Sequence, residues 1–112
     1  MQHHYELSTR AGKDLRKLDK RTRAKVLEGI DRLAAIPPAD NLDIDPVSGH
    51  EPWRRLRIGD WRVLYRQLTP REIDILVMRR GTLESRTGFL VARIVNRRDL
   101  ERAVATLDLV EL

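Results

Sequence analysis

The chain has 112 residues, with 22 lysines and arginines against 17 aspartates and glutamates, and 41% of it is hydrophobic. That is one domain with enough apolar material for a core, and its net charge of +5 points to an acidic partner such as nucleic acid, an anionic surface or an acidic protein. The lack of cysteine excludes disulfides, thiolate zinc sites and cysteine nucleophiles, and apolar runs such as Ile75–Met78 and Phe89–Ala92 are too short to span a bilayer, so a cytoplasmic protein is expected.

His4–Leu7 reads as a first strand, after which Ser8 or Thr9 can cap a helix by accepting hydrogen bonds from its first free N–H groups. Ala11, Leu15 and Leu18 fall on one helical face. After a break at Asp19-Lys20, the spacing of Val26, Ile30, Leu33 and Ala34 predicts a second, longer amphipathic helix that Pro37-Pro38 ends. The two form a helical hairpin expected to pack on a sheet.

Residues 37–52, PPADNLDIDPVSGHEP, are rich in turn formers and carry Asp40, Asp43 and Asp45; they read as an ordered surface connection. Trp53–Ile58 and Trp61–Arg66, joined by Gly59-Asp60, form a β-hairpin. Between Gln67 and Gly88 two signals compete. Thr69-Pro70-Arg71-Glu72 is a helix start with a capping threonine, an N-terminal proline and a glutamate three residues after the cap, whereas Ile73, Ile75 and Val77 alternate as in a strand. A short helix or an irregular excursion is expected there. Phe89–Val95 is a strand, and Leu100, Ala103, Val104 and Leu107 place an amphipathic helix at the end. The expected fold is α+β: a small antiparallel sheet, an N-terminal helical hairpin on one face and a short C-terminal helix.

Strand alternation separates Leu56 and Ile58 from Trp53, Arg55 and Arg57, and Trp61, Val63 and Tyr65 from Arg62, Leu64 and Arg66. On the last strand Phe89, Val91, Arg93, Val95 and Arg97 alternate against Leu90, Ala92 and Ile94. If the helical hairpin covers one face, then Arg55, Arg57, Arg62, Arg66, Arg93 and Arg97 converge on the uncovered one. A solvated charged face is the plain alternative. Arginine rather than lysine dominates the cluster, and its planar fork suits bidentate phosphate recognition. The basic residues of the first helices, from Arg10 to Lys25, read as an exposed face that aids electrostatic steering. His3-His4 is a poor metal pair because neighbouring strand residues point apart, and no cofactor or metal site is assigned.

Three segments, TRAGKDLRKLDKRTRAKVLEGIDRL, WRRLRIGDWRVLYR and FLVARIVNRRDLERAV, together resemble the RelE/ParE superfamily of bacterial type II toxin–antitoxin toxins, in the same order and over most of the chain. The resemblance implies a compact α+β toxin inhibited by a cognate antitoxin. RelE-like members enter the ribosome and cut messenger RNA without metal; ParE-like members poison DNA gyrase; a third class would be an inactive member that binds antitoxin and operator DNA. The excursion 67–88 is longer than the short turn common in the family.

By position in the family pattern, the resemblance implies Arg55, Arg62 and Arg97 as the catalytic set, acting as phosphate clamps and transition-state stabilisers. Trp53, Arg54, Arg57, Arg93 and Arg98 are the candidate RNA contacts, with Trp53 either stacking on a base or serving as a structural residue. Cleavage by the ribose 2′-OH needs a base, cations for the charge on phosphate and an acid for the leaving oxygen. Here the chain departs from the RelE pattern: Asn96 stands at the usual histidine position and Leu100 or Glu101 at the usual tyrosine. His50 is the only histidine near the candidate strands, and Glu101 is a further acid or base candidate if turned inward.

Overall fold

In the computed structural model, which describes residues 2–83 and 85–112, β1 (His4–Leu7) leads into α1 (Thr9–Lys17) and α2 (Lys20–Ala34). Then come β2 (Asp43–Pro46), β3 (Arg54–Ile58), β4 (Trp61–Gln67), α3 (Pro70–Arg80), β5 (Gly88–Asn96) and α4 (Leu100–Val104), the last flanked by 3-10 turns at Arg97–Asp99 and Leu107–Leu109. The five strands lie in the order β1-β5-β4-β3-β2, all neighbours antiparallel except β1 and β5. The α+β expectation holds, with the first strand making the sheet mixed.

Both helices of the hairpin start on side-chain caps. Ser8 accepts from the N–H of Ala11 and Asp19 from that of Thr22, which satisfies N–H groups the helices leave free. Their apolar stripes, Ala11, Leu18, Val26, Ile30 and Leu33, close over Leu56, Val63, Tyr65, Val91 and Ile94 of the sheet. Gly29 permits the contact of α2 with β3: a Cβ there would overlap the side chain of Ile58. At the β3–β4 turn Gly59 has φ +58° while Asp60 is not in the left-handed region, the sign pattern of a hairpin turn that wants glycine first.

The second face of the sheet is not left open. Leu64, Leu90, Ala92 and Val95 pack there with Trp53, with Ile73 and Leu76 of α3 and with Ala103 and Leu107 of the C-terminal segment. The competition in 67–88 is won by the helix: Thr69 and Glu72 form a reciprocal capping box with Pro70 inside the first turn, and Ile73 and Leu76, three residues apart, are the buried pair. The terminal helix is shorter than its apolar spacing predicts, because α4 ends after five residues. The connection 37–52 contains β2, whose Asp43 and Asp45 lie opposite Arg57 and Arg55. Acidic residues and a proline hide a strand from propensity, and an edge position is where they are tolerated.

A β-bulge on β5 overturns the strict alternation expected there. Leu64 faces Arg93 while Tyr65 faces Val91, so Ala92 is the extra residue and Val95 joins the face of Leu90 and Ala92. The bulge is held by α1: Ser8 Oγ donates to the Ala92 carbonyl at 2.7 Å, and Asp14 Oδ2 accepts from the Ile94 N–H at 3.0 Å. Among the described residues no helix is long and apolar enough to cross a membrane.

Candidate phosphate-binding site

Arg57 and Arg62 lie directly opposite each other on β3 and β4, at the end of the sheet that α3 does not cover. Arg62 is buried, with 9% of its surface exposed, and its guanidinium donates to the carbonyls of Gly59 at 2.8 Å and Trp61 at 3.1 Å. Among the described residues no carboxylate lies within 4 Å of it. Burial first, then the positive charges of Arg57, Arg55 and Arg97, hold its pKa below the ordinary guanidinium value, and Asp43 opposes the shift. A desolvated cation surrounded by cations is a site that an anion stabilises.

Around it stand the other candidates. Arg55 is half-buried and paired with Asp45, with Asp43 at 3.8 Å; Arg57 is exposed and 3.8 Å from Asp43. Arg97, on the turn after β5, is exposed and 3.7 Å from Asp60, while its N–H donates to the Asp60 carbonyl at 2.8 Å. Arg98 is exposed beside it, its N–H accepted by the side chain of Asn96. The structure thus brings Arg55, Arg57, Arg62 and Arg97 together.

The remaining candidates go elsewhere. Arg93 turns to α1 and binds Asp14 in a two-point pair at 2.8 and 3.2 Å, because the bulge removes it from the arginine face. Arg66 is on that face but belongs to α3: it donates to both carboxylate oxygens of Glu72, at 2.6 and 2.9 Å, and lies 5.3 Å over the Trp53 ring. Trp53 is itself buried, so it is a core residue and does not offer a ring for base stacking. Arg54 projects to the opposite side, near Tyr65, and lines a cavity of about 690 Å³ with Leu33, Ile44 and Phe89. That cavity is separate from the arginine cluster.

None of the expected proton carriers joins the cluster. The Nδ1 of His50 is buried and, among the described residues, has no hydrogen-bond partner; it is 4.0 Å from Asp108 of the C-terminal segment. Asn96 caps the turn after β5, Leu100 packs into the second core cluster, and Glu101 is exposed on α4. What sequence reasoning missed is the acidic side of the site. Asp43 and Asp45 alternate with Ile44, a two-residue period that matches the alternation of Arg55 and Arg57 around Leu56.

The architecture and the cluster define a small basic α+β protein that gathers four arginines at one end of its sheet. Residues 5–81 match the family model for the ParE toxin of type II toxin–antitoxin systems, and the chain belongs to this toxin family, within the RelE/ParE superfamily. No curated protein sequence matches it. Its fold is similar to a chain of the RelB–RelE antitoxin–toxin complex from Methanococcus jannaschii, at 15% identity and TM-score 0.57 over 86% of this chain and 94% of that one. It is also similar to a chain of the RelE–RelB complex from Pyrococcus horikoshii OT3, at 21% identity and TM-score 0.58 over 87% and 97%.

Proposed function

We propose that this toxin is a metal-independent, ribosome-dependent messenger-RNA endonuclease that inhibits translation and is held inactive by a cognate antitoxin. The observation that carries the reading is Arg62, buried without a carboxylate among Arg55, Arg57 and Arg97. In such a reaction the 2′ hydroxyl gives its proton to solvent and its oxygen bonds to phosphorus as the bond to the 5′ oxygen breaks; the 5′ oxygen takes up a proton, leaving a cyclic phosphate and a 5′-OH. Negative charge grows on the phosphoryl oxygens, where Arg55, Arg62 and Arg97 stabilise it. The lowered pKa of Arg62 makes it a better donor to the departing 5′ oxygen than a free guanidinium. The antitoxin reading is supported by two solved structures of similar fold, a RelB–RelE antitoxin–toxin complex and a RelE–RelB complex.

A second reading, a gyrase poison, is favoured by a different observation: the charged groups that act on Arg62 are three arginines and Asp43, and neither His50 nor Glu101 is among them. The matching model is also that of the ParE toxin. Expression of the toxin with parallel mapping of RNA 5′ ends and DNA supercoiling separates the two. Cuts within translated frames are expected; growth arrest with intact messages and trapped gyrase–DNA complexes overturns the first reading. Absence of toxicity on expression alone would identify an inactive, regulatory member.

A further inference from the structure

We infer that the α1–α2 hairpin carries a second phosphate-binding surface, a basic track for an extended RNA strand that continues into the arginine cluster. Arg10, Lys13, Arg16 and Lys17 of α1 are all exposed. Their spacing of three and four residues puts them in one stripe, opposite the buried Ala11 and Leu18 and about 10 Å long. Lys20, Arg21 and Lys25 extend it along α2 after a connection of only Leu18 and Asp19.

Two carboxylates, Glu28 and Asp43, line the groove into which the stripe continues, and among the described residues neither is within 4 Å of a stripe cation. Asp14 is committed to Arg93 and the Ile94 N–H, and Asp19 caps α2 through Thr22. Among the described residues none of the seven stripe cations is in an ion pair within 4 Å. Arg23, the one cation of this region that is not exposed, folds back onto the carbonyls of Leu15, Arg16 and Leu18 and ties the two helices together. The stripe therefore sits on a fixed scaffold rather than on a loose loop.

An independent observation joins the stripe to the cluster. Lys25 and Arg57 line one groove of about 270 Å³ between α2 and the β2–β3 edge, and Arg57 lies opposite Arg62. The track thus leads from α1 over α2 to the Arg62 site. A single strand, whose backbone can track a narrow line of cations, suits this path. The three large apolar side chains exposed in the described chain, Ile36, Met78 and Leu109, are all outside the hairpin. Without an apolar anchor the surface suits a polyanion better than a membrane or a protein interface. The choice of RNA rests on the function proposed above.

The test is fluorescence anisotropy of the purified full chain with labelled single-stranded oligouridylate of about twelve and about three nucleotides over a salt series, where each phosphate contact adds about 0.7 to the log–log slope. The comparison is with Lys13→Gln/Arg16→Gln/Lys17→Gln/Lys20→Gln/Arg21→Gln, whose sites are exposed, and separately with Lys25→Gln. The five-site variant is expected to lose tenfold or more of its affinity for the long strand, lower the slope by about 2 to 3, and bind the short strand as before. Lys25→Gln should lower the slope by less than 1. Unchanged long-strand binding in both variants overturns the inference, as does equal competition by duplex DNA or polyglutamate. If no messenger is cut in cells but the length-dependent loss is found, the nuclease reading fails and the track stands.

Discussion

Arg62 and Arg66 occupy the same face of the same strand, with Leu64 between them on that face, yet they are put to opposite uses. At the α3 end Arg66 is neutralised by Glu72 at two points and spread over Trp53, so its charge is part of the fold. At the turn end Arg62 donates to two carbonyls and feels three arginines and, opposing them, Asp43, with no carboxylate within 4 Å among the described residues. The difference comes from what covers each end. Helix α3 brings a carboxylate to one arginine, while the tight Gly59-Asp60 turn brings none within 4 Å of the other.

The sharpest way to break this comparison is to remove each arginine and ask which property fails. Arg62→Ala should lower toxicity by about 10²-fold or more, as loss of a charge-stabilising donor does, with the melting temperature reduced by only a few degrees. Arg97→Ala should act in the same direction with no measurable change in melting, since its side chain is two-thirds exposed at 67%. Growth after induction and thermal melts of the same variants check both. Full toxicity of Arg62→Ala would sink the division between the two ends.

Asp14→Ala tests a third arginine that the fold consumes. It strands the half-buried guanidinium of Arg93 and the N–H of Ile94 together, and a loss of about 3 kcal/mol in stability is expected by denaturant unfolding. Asp14→Asn should recover part of this, since an amide oxygen still accepts. If Asp14→Ala is as stable as the wild type, the bulge is held by the strands alone.

How far all this was legible follows from the range of each signal. The helical hairpin, the capping box at Thr69 and the strands around Gly59-Asp60 depend on residues a few positions apart, and the sequence carries them openly. The roles of individual arginines depend on partners far along the chain. Arg93 and Asp14 are 79 residues apart, and the bulge that joins them has no glycine or proline to announce it. Arg55, Arg57, Arg62 and Arg97 were identifiable from alternation and from the family pattern, but Arg66, identical by alternation to Arg62, was not separable without α3. β2 was hidden for the reason that makes it matter: its aspartates look like loop residues until the arginines of β3 stand opposite them.

Acid should weaken the Arg66 end selectively. The hydrogen bonds from Arg66, aided by the Thr69 N–H and the arginine charge, lower the Glu72 pKa to about 2 against the opposing effect of burial. Since the unfolded chain takes up this proton near the ordinary glutamate value, about 4.3, the stability from the pair is full above that pH and drains as pH falls towards 2. The loss is on the order of 2 to 3 kcal/mol. Chemical denaturation at about pH 5 and about pH 2.5 should show a steeper decline for the wild type than for Glu72→Gln, which cannot titrate there. Parallel declines would remove Glu72 as the anchor of that end.

The smallest expected effect concerns the rim of the open end, where Asp43 and Asp45 face Arg55 and Arg57 much as phosphates would. Each carboxylate is exposed, so its ion pair adds under about 1 kcal/mol to stability, and Asp43→Asn should melt close to the wild type. In binding, however, the carboxylate competes with an incoming anion for the same guanidinium groups. Asp43→Asn is therefore expected to bind oligouridylate a few-fold more tightly, with a salt slope steeper by up to about 0.7. The sign is the informative part. A weaker rather than tighter complex would mean that Asp43 holds Arg55 and Arg57 in place, and the open end would then depend on an acidic partner just as the Arg66 end does.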